Sequence, residues 1–145
     1  MRGIAIVASD LQERIDAAGH QQQRALAVAM ARLSSRRWPT PDPRLTNALR
    51  MLDGGQFGDT DERRDLKTLV EEFDERAWRI QREVEAGTVE TERYLDAFAQ
   101  ARAANALWCA LNGDALFASS EATYETNAAL GGDIEAVRTA IEAII

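Results

Sequence analysis

The stretch Ala103–Leu111, "AANALWCAL", has no charged residue and is apolar around the whole circumference of a helix. A helix of that kind is stable only where neighbours cover every side, so it belongs in the middle of a bundle. Its alanines leave room for close neighbours. This stretch predicts an all-α fold with the helix from about 89 to 112 at the centre.

Working toward the C-terminus, Asn112-Gly113 closes the central helix and Asp114 caps another to about Leu130, with Phe117 and Tyr124 seven residues apart. Gly131-Gly132 breaks the chain. Asp133 then caps a last helix with Ile134, Val137, Ile141, Ile144 and Ile145 on its core side. Upstream, Gly87 ends a long helix and Thr88 is placed to cap the central one. The long helix opens with Asp59 and Glu62 spaced as a capping box. Its apolar stripe is Leu66, Leu69, Val70, Phe73, Ala77, Ile80 and Val84. Glu72–Arg76 and Glu75–Arg79 are favourable i,i+4 pairs on its wet side.

Leu45, Leu49 and Leu52 form one face of a shorter helix closed by Gly54. Asp42 can cap it and Pro43 suits its first position, where a missing N–H costs nothing. The segment Arg36–Leu45, "RRWPTPDPRL", then reads as a stiff connector into that cap; its prolines are two apart and make no PxxP core. The competing reading is an arginine patch of Arg36, Arg37 and Arg44 facing an acidic group. Nearer the N-terminus, Ile4, Val7, Leu11 and Ile15 recur at helical spacing up to Gly19, and Leu26, Met30 and Leu33 continue the stripe. These predict helices over about 4–18 and 20–37, or one helix bent at Gly19; "IAIVA" would also suit a strand. The expectation is a single helical domain over residues 1–145, a bundle of six or seven helices whose last three loosely resemble an α-solenoid.

Charge is unevenly placed. The net charge is −7. Residues 1–50 carry eight arginines against four acids, a surplus of +4, and residues 51–145 carry nine basic against twenty acidic groups, −11. Such an acidic surface repels nucleic acid and anionic lipid and steers basic partners. An arginine-rich nucleic-acid contact over residues 24–50 is the weaker reading. The single cysteine permits no internal disulfide. The apolar run Ile4–Ala8 is too short for a signal-peptide core, and nothing approaches the roughly 20 apolar residues of a membrane span. These features predict a soluble, cytoplasmic protein with no membrane contact.

No catalytic or cofactor motif is present. One histidine and one cysteine, His20 and Cys109, do not make a zinc set, and the Glu-x-x-His of di-iron bundles does not occur. "GGQFGDT", residues 54–60, lacks the GK[ST] of a phosphate loop. Cys109 lies in the apolar stretch as a packing residue, and Ser34-Ser35 and Ser119-Ser120 have no nucleophile-elbow setting. The acidic run Glu71, Glu72, Asp74 and Glu75 reads as a solvated face rather than a cation site. The expectation is no catalytic residue, no metal and no cofactor.

Two residues depart from the pattern. Asn105 shares a helix face with Phe98, Ala101 and Trp108, so it either ties helices together or lines a polar pocket. Trp78 lies about 130° from the centre of its own helix's stripe, at 100° per residue. Its wheel neighbours are Glu71, Asp74, Glu75 and Arg82. An exposed Trp ringed by charge has the composition of an interface hot spot; the alternative is a helix buried on two sides. Trp78, Glu71, Asp74 and Glu75 are the candidate partner-binding residues.

The span from Ala25 to Gly54, "ALAVAMARLSSRRWPTPDPRLTNALRMLDG", resembles part of a helical immunity-protein family of bacterial polymorphic toxin systems. The likeness rests on the helix ending in an arginine-rich step, on Asp42-Pro43-Arg44, and on the short helix "LTNALRML" closed by glycine. The alanine-rich "AFAQARAANALWCAL" adds to it. The resemblance implies a cytoplasmic, non-enzymatic protein that binds and neutralises one cognate toxin. Two alternatives stand beside it: a homo-oligomeric helical scaffold pairing through Trp78, and a small-ligand binder or enzyme with a pocket near Asn105.

Overall fold

The computed structural model describes residues 3–39 and 41–145. Among these residues the chain forms eight α-helices and no strand: α1 (Gly3–Val7), α2 (Ser9–Ala17), α3 (His20–Ser34), α4 (Pro43–Asp53), α5 (Asp61–Glu85), α6 (Thr91–Ala110), α7 (Ala115–Ala129) and α8 (Ile134–Ile144), with a 3-10 turn at Ser35–Arg37. The eighth helix arises because the first predicted one is split. Ala8 is extended, with φ −154° and ψ 90°. The break lets α1 turn onto α7, where a Cβ on Gly3 would fall 2.8 Å from the Tyr124 ring. "IAIV" is thus helical, held by packing rather than by length.

α6 is the hub, packed against α3, α4, α5 and α7. Ala101, Ala103, Ala104, Ala106, Leu107 and Ala110 are fully buried along it. Short side chains let the backbones of α3, α5 and α7 close in, and longer residues from those helices fill the gaps: Leu26, Met30, Leu66 and Leu69. Small polar groups stitch the same contacts. Thr126 Oγ1 donates to the Met30 carbonyl at 3.1 Å, and Ser34 Oγ to the Ala103 carbonyl at 3.3 Å. α7 and α8 are both packed on α3, far upstream, so the last three helices do not stack only on one another as repeats of a solenoid would.

The α5 stripe is buried at Leu66, Leu69, Val70, Ala77 and Ile80 and half-buried at Phe73 and Val84. Two predicted caps move. Thr60, not Asp59, caps α5, its hydroxyl accepting the Arg63 N–H at 3.1 Å; Asp59 pairs with Arg64 instead. α6 starts at Thr91, and the Thr88 hydroxyl donates back to the Glu83 carbonyl, serving the end of α5. Gly87, at φ 76°, makes the left-handed step that ends α5. The predicted wet-side pairs do not form either: Glu72 meets Arg44 at 2.9 Å and Arg76 donates to Gln100.

Asp42 caps α4 as expected, accepting the Arg44 N–H at 2.8 Å with Pro43 in the first helical position. The extended path expected from Pro39 to Pro41 includes Thr40, which lies outside the described residues. The arginines of the basic N-terminal part are largely committed internally. Arg24 donates to the carbonyls of Ala110, Asn112 and Gly113, capping the end of α6, and stacks 3.8 Å over Phe57. Arg32 pairs with Asp53, Arg37 with Asp96, and Arg44 with Asp42 and Glu72. Of Arg36, Arg37 and Arg44, only the exposed Arg36 carries no ion pair among the described residues.

Candidate partner-binding cleft

Trp78 follows buried Ala77 and so points about 100° away from the core face of α5. It is 63% exposed. From the antiparallel neighbour α6, Tyr94 and Phe98 rise opposite it, one helical turn apart, with ring centroids 6.0 Å from each other. Between the two helices lies an open cleft of about 380 Å³, lined by Asp74, Ala77, Trp78, Gln81, Tyr94, Phe98 and Arg102.

The inner end of the cleft is an ionic tie across three helices. Arg102 Nη2 donates to Asp74 Oδ1 of α5 at 2.5 Å, and Nη1 donates to both Glu125 oxygens of α7, at 3.2 and 3.1 Å. Asn105 Nδ2 also donates to Glu125 Oε1, at 3.0 Å. Burial pushes the Glu125 carboxyl up, opposed by Arg102 and by the Asn105 hydrogen bond. Burial alone would lower the Arg102 pKa; Glu125 and Asp74 together outweigh it and hold the guanidinium charged. Two carboxylates thus serve one cation. Asp74, whose side chain is 42% exposed, is the one facing solvent.

Of the predicted partner-binding residues, Trp78 and Asp74 line this cleft, while Glu71 and Glu75 stand exposed at its α5 end, outside the lining. Among the described residues neither glutamate carries an ion pair. Asn105 does not line the cleft; its contact is the tie to Glu125. A second groove, of about 480 Å³, shares Phe98 with the first; Leu95, 54% exposed, and residues 128–132 line it. Sequence reasoning missed Tyr94, Phe98, Arg102 and Glu125. The available signal was Arg102, the one charge between Asp96 and Asp114 in an otherwise uncharged stretch, since a buried charge needs a partner.

The structure also places the nucleophile candidates weighed from the sequence. Cys109 is 4% exposed, and burial pushes its thiol up to about 12. His20 is exposed in the first turn of α3, and no hydrogen bond joins it to Cys109 among the described residues. Ser34, Ser35 and Ser119 spend their hydroxyls on carbonyls one turn back. Among the described residues no three His, Cys, Asp or Glu side chains are arranged to hold a metal ion, and no helix is long and apolar enough to cross a membrane. Compared with known proteins, the chain matches no family model, no curated protein and no solved structure.

Proposed function

We propose that this chain is a non-enzymatic protein-binding module, an immunity- or antitoxin-like protein that acts in the cytoplasm and neutralises one basic toxin domain. The partner docks on the α5–α6 face with Trp78 at the centre. One observation carries the reading: a tryptophan 63% exposed at the mouth of an aromatic cleft, with the carboxylates of Glu71, Asp74 and Glu75 along the same helix. Indole surface desolvated on binding gives the complex its lifetime, and the acidic surround gives it speed and selects for cationic partners. A toxin that acts on an anionic substrate has a cationic cleft, which such a face would cover. The resemblance over Ala25–Gly54 supports the same reading.

The test is co-expression with basic toxin domains encoded beside this chain, followed by binding kinetics. The parent chain should restore growth. Trp78→Ala should mainly raise the dissociation rate, by about thirtyfold if the indole is a hot spot worth some 2 kcal/mol. No growth rescue with any such domain, or an unchanged dissociation rate, defeats this reading.

A further inference from the structure

We propose that the α5–α6 cleft is a receptor for a single arginine side chain of the partner, its guanidinium stacked on the Trp78 indole and bonded to the Asp74 carboxylate. The inference deepens the docking reading and rests on the same face.

The first argument comes from three other aromatic rings of this chain. Trp108 is covered by Arg63 at 3.9 Å and Lys67 at 4.4 Å, Phe57 by Arg24 at 3.8 Å, and Phe98, in the cleft, by Arg102 at 5.8 Å. Trp78, more exposed than any of them, carries no cation among the described residues. A guanidinium above an indole is the most favourable of these stacked pairs, more so once water is excluded.

The second argument is charge. Arg102 is engaged inward by Asp74 Oδ1 and both Glu125 oxygens, so it presents little unbalanced charge to the cleft. The tie still holds two carboxylates for one guanidinium, and the second Asp74 oxygen has no hydrogen bond among the described residues. Residues 71–96, which carry the outer part of the hairpin, hold nine carboxylates against four arginines. None of those four arginines lines the cleft. A two-fold pairing of this chain through Trp78 would set two such acidic hairpins face to face. A head-to-tail pairing would need free arginines; outside the hairpin most are committed internally, Arg36 excepted, and the exposed Arg79, Arg82 and Arg93 sit among the hairpin's own nine carboxylates. The occupant that fits is therefore a foreign cation. Arginine is preferred to lysine because its flat fork can stack on the ring and bond a carboxylate at once.

The experiment titrates a blocked Gly-Arg-Gly peptide into the intact protein and follows the three indole N–H signals by NMR, with Trp78 assigned from Trp78→Ala. Saturable movement of the Trp78 signal is expected. The lysine peptide should bind about fivefold more weakly and the citrulline peptide, isosteric but uncharged, should not bind. Asp74→Asn keeps a hydrogen-bonding group for Arg102 and should weaken the arginine peptide by about fivefold or more with the helical spectrum unchanged. The proposal is overturned if citrulline binds as arginine does, if Asp74→Asn binds like the parent, or if Trp78 stays still. It is also overturned if sedimentation of the free protein shows dimers that Trp78→Ala dissolves, since a second copy then occupies the cleft. The two readings fail separately. Arginine capture without toxin neutralisation removes the function and leaves the site; neutralisation without arginine capture removes the site and leaves the function.

Discussion

Asp42 shows what one side chain contributes. Its Oδ1 accepts the Arg44 N–H at 2.8 Å and the Arg44 Nε at 3.2 Å. The hydrogen bonds from Arg44 hold its carboxyl below the ordinary aspartate value of 3.8. Asp42→Ala should destabilise the protein by about 0.5–2 kcal/mol in urea denaturation at neutral pH. The sign of the pH dependence follows from the lowered pKa. The contribution is fully present above the ordinary aspartate value and is lost as pH falls through the folded value, because the protonated carboxyl binds Arg44 less well. The gap between parent and Asp42→Ala should therefore be flat near neutrality and close in acid. By contrast Arg37–Asp96, at 3.5 Å between exposed side chains, has little effect on stability.

At the level of elements, α5, α6 and α7 are joined by alanine packing and by one charged tie. Removing Arg102 leaves Glu125, 8% exposed, without its cation. Arg102→Met should cost about 3 kcal/mol, the low end for a broken buried pair because Asp74 and part of Arg102 reach water. Glu125→Leu added to Arg102→Met should recover much of that loss, since no uncompensated buried charge then remains. Urea melts of both single variants and the double variant measure this. Simple additivity would mean the tie is not a coupled unit. The cost of such a tie suits a surface that must hold its shape: Arg102 fixes Asp74 at the cleft, where an unpaired aspartate would swing freely.

For the whole molecule the relevant quantity is the charge field. Residues 51–145 carry −11; Arg14, Arg32, Arg37 and Arg44 offset part of it through Glu142, Asp53, Asp96 and Glu72, and Glu71 and Glu75 stay without an ion pair among the described residues. Glu71 and Glu75 are the clean probes, exposed and without ion pairs among the described residues, whereas neutralising Asp74 also disturbs Arg102. Glu71→Gln with Glu75→Gln should lower the association rate with a basic partner and leave dissociation nearly unchanged. The effect should fade as salt approaches about 1 M, where the screening length falls to about 3 Å. Stopped-flow mixing at several salt concentrations measures it; an association rate that does not respond places the docking face elsewhere.

Much of this was legible in the residue order, because helices are local objects. The apolar circumference of "AANALWCAL" determined that α6 is central, and the spacing Leu66–Leu69–Val70–Ala77–Ile80 determined which face of α5 is buried; the 100° step set Trp78 off that face, and only the packing decided that it is exposed there rather than buried on a second side. The Asp42-Pro43 and Asp114 caps were legible for the same reason: donor and acceptor lie within three residues. What the residue order did not contain were partners supplied from far away. Local chemistry offers Asp59 or Thr60 as a cap; in the folded chain Thr60 takes the Arg63 N–H and Asp59 pairs with Arg64. Glu72 leaves Arg76 because α4 brings Arg44 within reach. The break at Ala8 follows the seat that Tyr124 gives Gly3. The cleft belongs to this second class. Trp78 is fixed by its own helix, but Tyr94, Phe98 and Arg102 face it only because α6 folds back along α5, and Arg102 is oriented only because Glu125 arrives on α7. Periodicity determined the faces; tertiary packing, which pairs groups by proximity in space, decided what those faces meet.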